Sequence, residues 1–113
     1  RIVRTVPFGI ALELLMTGKR IPADEAARWG LVNRVVPADR LMDETLALAA
    51  QITANAPLAV QAVKESAYRG RQPTLAEGLR VEAFETMMVF NTEDAKEGPL
   101  AFAEKRAPNW KGR

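Results

Sequence analysis

Residues 74–90 read TLAEGLRVEAFETMMVF, and this stretch decides the fold class. Thr74, with Glu77 three residues later, makes a capping box, in which hydroxyl and carboxylate satisfy orphan backbone donors at a helix start. From there Leu75, Leu79, Ala83, Met87 and Phe90 recur at helical spacing as one apolar stripe. Val81, Phe84 and Met88 form a second stripe, about 100° or more around the helix. One small bundle cannot easily cover both. The helix is therefore expected to meet a partner: another subunit, or a domain outside this sequence.

Turn signals cut the flanking sequence into more helices. Pro7 can open a helix running to about Met16, which Thr17-Gly18 ends; it is apolar on two sides, with Phe8, Ala11, Leu12 and Leu15 on one and Ile10 and Leu14 on the other. In IPADEAARWG (21–30), Pro22, Asp24 and Glu25 mark a helix start and Gly30 a left-handed C′ residue. LVNRVVP (31–37) reads as a brief extended stretch, the one strand-like piece. Leu41, Thr45, Leu48, Ala49 and Ile52 stripe a helix over 39–54. Asn55-Ala56-Pro57 then opens another that carries Leu58, Ala62 and Val63 and ends near Gly70, so these two blocks are expected to pair as a helical hairpin. Near the end, Gly98-Pro99 is expected to restart a helix in a new direction and Pro108 to stop it. Linkers are short and nothing repeats, which predicts one undivided, mainly α region over 1–113.

Composition bounds the chemistry. At 113 residues, 48% apolar and 27% charged, the chain fits an ordinary globular domain and not a disordered or collagenous one. No apolar run approaches the roughly 18 residues that a membrane helix needs. There are 16 Lys and Arg against 14 Asp and Glu, and the surplus is local to Lys105, Arg106, Lys111 and Arg113. Such a distribution suits an anion site better than a nucleic-acid surface. With no Cys and no His, disulfides, the usual zinc ligand sets, thiol nucleophiles and histidine acid/base catalysis are excluded. The opening RIVRTVPFGI has neither an initiator Met nor a secretory layout, so residue 1 is expected to lie inside a longer chain. A cytoplasmic setting is compatible with all of this.

Carboxylate pairs are the remaining acid/base option. Asp24/Glu25 and Glu93/Asp94 already have a role at helix starts, and Glu82/Glu85 sit on a helix flank, so no catalytic residue is assigned. PADEAARWGLVNRVVPADRL (22–41) faintly resembles the first part of a helix-turn-helix, but its second segment contains Pro37 and Asp39 and lacks the basic face that phosphate contacts require. The tail EDAKEGPLAFAEKRAPNWKGR (93–113) offers more. Phe102 and Lys105 are three apart on a helix, hence surface neighbours, and a ring beside an ammonium suits a nucleotide base and its phosphate. The plainer alternative is that Lys105 and Arg106 complement a helix dipole while Phe102 packs inward. The residues alone leave both open.

Three motifs in order, ELLMTGKRIPADEAARWGLVNRVVP (13–37), NAPLAVQAVKE (55–65) and the 93–113 tail, resemble the C-terminal part of the crotonase superfamily, also called the enoyl-CoA hydratase/isomerase family. Within it, AARWGLVNRVV and the tail are most similar to the carnitinyl-CoA dehydratase (crotonobetainyl-CoA hydratase) branch. The resemblance implies the helical, trimerising C-terminal region of an α/β spiral fold whose larger N-terminal core of ββα units lies outside these residues. It implies an acyl-CoA substrate, with coenzyme A as part of that substrate and no separate cofactor or metal, and a homo-oligomer, a trimer or dimer of trimers, with neither nucleic acid nor membrane as partner. It also implies hydratase chemistry, with isomerase as an alternative, through an oxyanion hole of two backbone N–H groups and two glutamates. All of those groups belong to the N-terminal core. By matching AFxEKR to AFAEKR (101–106), the resemblance makes Phe102 and Lys105 contacts for the adenosine-phosphate end of CoA. Trp110 stands where many members carry Phe, which points to packing. A non-catalytic helical oligomerisation module is the competing reading from another class.

Overall fold

The computed structural model describes residues 1–71 and 73–113. Among these described residues, a 3₁₀ turn at Ile2–Arg4 is followed by six helices: α1 (Phe8–Thr17), α2 (Ala23–Arg28), α3 (Leu41–Thr53), α4 (Pro57–Gly70), α5 (Leu75–Phe90) and α6 (Asp94–Ala103), with a second 3₁₀ turn, Ala38–Arg40, leading into α3. The mainly α class read from the sequence is what the chain adopts. Among the described residues there is no strand. The stretch 31–37 runs as bends and coil, because a single extended segment without a neighbour has nothing to hydrogen-bond. The chain gathers into two compact units, Arg1–Thr45 and Leu46–Arg113, with the boundary inside α3.

The first unit has a small core, with Val6, Ala11 and Ala26 as its buried apolar residues. A helix apolar on two sides is normally buried on two sides, yet Phe8, Leu15 and Met16 of α1 stay exposed within this chain. α2 ends in a paired turn, Leu31 N–H donating to Ala26 C=O at 2.9 Å and Gly30 N–H to Ala27 C=O at 3.0 Å. Gly30 takes φ +74°, the left-handed value that such a turn demands and glycine adopts without strain.

In the second unit the antiparallel pair is α4 with α5, not α3 with α4. The half-buried row of α4 is Ala59, Ala62, Ser66 and Gly70, and that of α5 is Gly78, Val81, Glu85 and Val89. The two glycines explain the choice: a Cβ on Gly78 would stand 3.3 Å from the Gly70 carbonyl oxygen. Only small residues permit that approach. The capping box forms as its residues predict, with Glu77 N–H donating to Thr74 Oγ1 at 3.4 Å and Thr74 N–H to Glu77 Oε2 at 3.0 Å. Of the two apolar stripes on α5, only Val81 joins the packed face. Leu75, Leu79, Phe84, Met87, Met88 and Phe90 remain exposed, as does the stripe of α3 at Leu41, Leu48 and Ile52.

α6 corrects two expectations. Pro99 does not redirect the chain but lies inside one continuous helix. Its fixed φ near −65° is itself helical, so it costs one N–H donor without forcing a turn. Nor does Pro108 stop the helix. Termination comes earlier, at Lys105, the only described residue other than glycine with positive φ (+54°).

A strapped helix end as candidate functional site

Beyond α6, residues 106–113 fold back along the helix as a strap. Asp94, 4% exposed, accepts the backbone N–H groups of Lys111 at 2.7 Å and Gly112 at 2.9 Å. A buried carboxylate is tolerated where donors converge on it, and here its helix N-terminus adds favourable dipole potential. Glu93 N–H donates to Arg113 C=O at 2.7 Å, and the Glu93 carboxylate pairs with Lys111 at 3.1 Å and Arg113 at 3.1 Å. Lys111, and then Arg113, holds the Glu93 carboxyl below the ordinary range.

Glu97 fixes the other end of the strap. Its two oxygens receive Arg106 Nη1 at 2.6 Å and Nη2 at 3.0 Å, the bidentate geometry of strong Arg–carboxylate pairing. Asn109 N–H donates to the same carboxylate at 2.7 Å. The guanidinium, aided by that backbone donor, lowers the Glu97 pKa from the ordinary 4.5 to about 2. Arg106 Nε is taken up by Glu104 at 2.6 Å, and both carboxylates push its own pKa upward.

Trp110 closes the strap. Its indole N–H donates to Ala54 C=O at 2.8 Å, in the turn between α3 and α4. Its ring covers Gly98, where an added Cβ would lie 3.4 Å from Cη2. Packing, the role suggested by the sequence, is what the indole does. Gly112, at φ +69°, sits against Pro57, whose Cγ a Cβ would meet at 3.4 Å.

Phe102 and Lys105 stand apart from this network. Phe102 is 86% exposed, so it does not pack inward within this chain. Lys105, also exposed, makes no side-chain hydrogen bond or ion pair among the described residues, whereas Arg106, Lys111 and Arg113 are all paired. The two are joined through the backbone, Lys105 N–H donating to Phe102 C=O at 3.2 Å, while Arg106 N–H reaches Ala101 C=O at 3.0 Å. This is the same paired turn that ends α2, with a lysine in the glycine place. A left-handed conformation costs an L-residue roughly 1–2 kcal/mol, and strain of that kind collects at functional sites.

A cleft of about 490 Å³ beside the strap is lined by Glu93, Asp94, Lys96, Glu97, Leu100, Arg106, Asn109 and Lys111. Neither Phe102 nor Lys105 lines it, and its charged walls are largely occupied with each other. The catalytic reading of Glu93/Asp94 gains nothing from this, since both carboxylates hold the strap. Among the described residues no cluster of three or more metal-ligating side chains exists, and no single helix is long and apolar enough to cross a membrane. Sequence reasoning missed Glu97. It weighed Asp94 as half of a carboxylate pair or a dipole partner, and not as the acceptor that holds the strap. The signal for Glu97 was weak, because a carboxylate nine residues before its arginine follows no helical spacing rule.

Comparison with known proteins gives a consistent result. The family model described as Enoyl-CoA hydratase/isomerase matches residues 1–113. The carnitinyl-CoA dehydratase of Proteus mirabilis is 48% identical over 117 residues, covering 100% of this chain and 45% of the relative; that of Salmonella arizonae is 46% identical over 116 residues, covering 99% and 44%. Among solved structures, an enoyl-CoA hydratase from Bacillus anthracis superposes with a TM-score of 0.95 at 41% identity, over 98% of this chain and 43% of that one. An enoyl-CoA hydratase from Mycobacterium tuberculosis gives 0.94 at 40%, over 100% and 45%. The chain thus spans less than half the length of the relatives it matches.

Proposed function

The chain belongs to the enoyl-CoA hydratase/isomerase family, and on that premise we propose that it is the C-terminal helical part of an enzyme that adds water to, or removes it from, an acyl-CoA thioester. In this reading the oxyanion hole and the acid/base carboxylates lie in the remainder of the enzyme. These residues contribute the nucleotide end of the CoA site and a surface for other subunits. Phe102 offers its ring to the adenine, and the Lys105 ammonium meets a phosphate. CoA enters as part of the substrate, with no further cofactor or metal, in a cytoplasmic enzyme.

The observation that carries this reading is the geometry at the end of α6: Arg106, Lys111 and Arg113 are paired, while Lys105 has no side-chain partner among the described residues and, unlike the equally unpaired Lys96, is held in a strained turn beside an exposed Phe102. The experiment is a CoA titration of the complete enzyme. Lys105→Ala and Phe102→Ala should each weaken binding several-fold, and unchanged affinity in both sinks the proposal.

A second role, assembly, is favoured by the apolar side chains that the chain leaves open, Phe90 at 72% and Leu75 at 79% among them. Burying each such side chain contributes roughly 1.5–3 kcal/mol. Light scattering should find the complete enzyme in a trimer or a dimer of trimers, and a stable monomer would contradict that assignment. If the chain is instead an oligomerisation module without catalytic partner, the complete protein will assemble but fail to hydrate crotonyl-CoA.

A further inference from the structure

We infer that Glu97 is a positioning residue for Lys105, acting through Arg106. The inference rests on the proposed role of Lys105 toward CoA. It begins from a comparison inside the chain. α2 and α6 end in the same paired turn, but α2 puts Gly30 at the left-handed position and α6 puts Lys105 there. A glycine turn needs no outside support; a lysine turn does. At α6 the next residue supplies it. Arg106 has its Nη1 and Nη2 on Glu97 and its Nε on Glu104. Glu97 also takes Asn109 N–H at 2.7 Å, so one carboxylate pins the chain at two points just past Lys105.

The clamp has an electrostatic consequence as well. Glu104 adjoins Lys105 in sequence and is an obvious internal partner for an ammonium, yet it is already engaged by Arg106 at 2.6 Å. With both carboxylates committed to the guanidinium, the Lys105 ammonium stays free for an external anion. Removing Glu97 loosens the turn, because Arg106 then keeps only its Nε contact to Glu104 and Asn109 N–H loses its acceptor.

The test uses the complete enzyme. Glu97→Gln should raise the Kd for CoA roughly three- to tenfold, a coupling of ordinary size. KM for a CoA thioester should rise with kcat unchanged, because the contact is equally present in ground and transition states. A pantetheine thioester, which lacks the nucleotide end, should be turned over as before. In a Lys105→Ala background, Glu97→Gln should add no further loss. Arg106→Lys, which keeps the charge and loses the fork, serves as the second variant should Glu97→Gln fold poorly, with thermal melting as the control. Equal damage to the pantetheine thioester, or losses that add in the double variant, overturns the positioning role. If Lys105→Ala weakens CoA binding and neither Glu97→Gln nor Arg106→Lys does, this inference fails and the CoA reading stands. If Lys105→Ala binds CoA as tightly as the parent, the CoA reading itself falls, and this inference with it.

Discussion

Replacing Lys105 with glycine should move stability and CoA binding in opposite directions. Lys105 holds φ +54°, a conformation that costs an L-residue roughly 1–2 kcal/mol. Glycine removes that strain but loses about 0.5–1 kcal/mol through its greater freedom in the unfolded chain. The lysine side chain has no partner among the described residues, so no contact seen there is forfeited. Taking the middle of each range, the net gain is about 0.75 kcal/mol, or roughly 1.5–3 °C in melting temperature for a protein of a few hundred residues. Lys105→Ala is the matched control, since alanine keeps the Cβ and hence the strain. Both variants lack the ammonium and should bind CoA about tenfold more weakly, near 1.4 kcal/mol, at the low end of a charge-assisted contact because the site is open to solvent. Differential scanning calorimetry and calorimetric CoA titration of the complete enzyme decide the matter. A glycine variant that melts no higher than the alanine variant refutes the strain argument, and one that retains full CoA affinity refutes the ammonium's role.

Three other outcomes follow from the same geometry. Trp110→Phe keeps a ring over Gly98 and loses the 2.8 Å bond to Ala54 C=O, so unfolding experiments should register a loss of about 1 kcal/mol, and parent-like stability would show the bond to be idle. Gly78→Ala ordinarily gains about 1 kcal/mol in a helix interior, but here its Cβ would stand 3.3 Å from the Gly70 carbonyl oxygen; denaturant titration should show no gain or a loss, and a full gain would mean that α4 and α5 part without cost. The Glu97 carboxyl has its folded pKa depressed from 4.5 to about 2, so its contribution is complete above about pH 5 and decays as pH falls through that window. The Trp110 indole N–H resonance should keep its folded position down to about pH 3, and a shift centred near 4.5 would show that Arg106 does not hold Glu97.

The class of fold was legible because helix signals are local. Thr74 and Glu77 name their own cap, Pro57 and Gly70 bracket α4, and Gly30 announces its left-handed turn. The pairing of helices was not legible from apolar periodicity. α4 and α5 meet through Ala62, Ser66, Gly70 and Gly78, small residues that a search for large apolar stripes passes over. The stripes it did find, on α3 and α5, are the surfaces this chain leaves open. At the tail, motif matching singled out Phe102 and Lys105. It misjudged Gly98-Pro99, because the break that proline suggests is overridden where its φ already suits the helix and a tryptophan packs on the preceding glycine. Glu97 escaped notice for a related reason: its partners Arg106 and Asn109 come into reach only after the chain has reversed at Lys105, and no residue spacing encodes that reversal in advance.

The claim that joins these observations is that the strapped end of α6 presents Phe102 and Lys105 to the nucleotide of CoA. A structure of the complete enzyme with CoA bound tests it most directly. The account predicts the adenine against the Phe102 ring and the Lys105 ammonium within about 3 Å of a phosphate oxygen, with the Glu97–Arg106 pair intact behind it. A nucleotide seated elsewhere, with Phe102 and Lys105 both in open solvent, would contradict it.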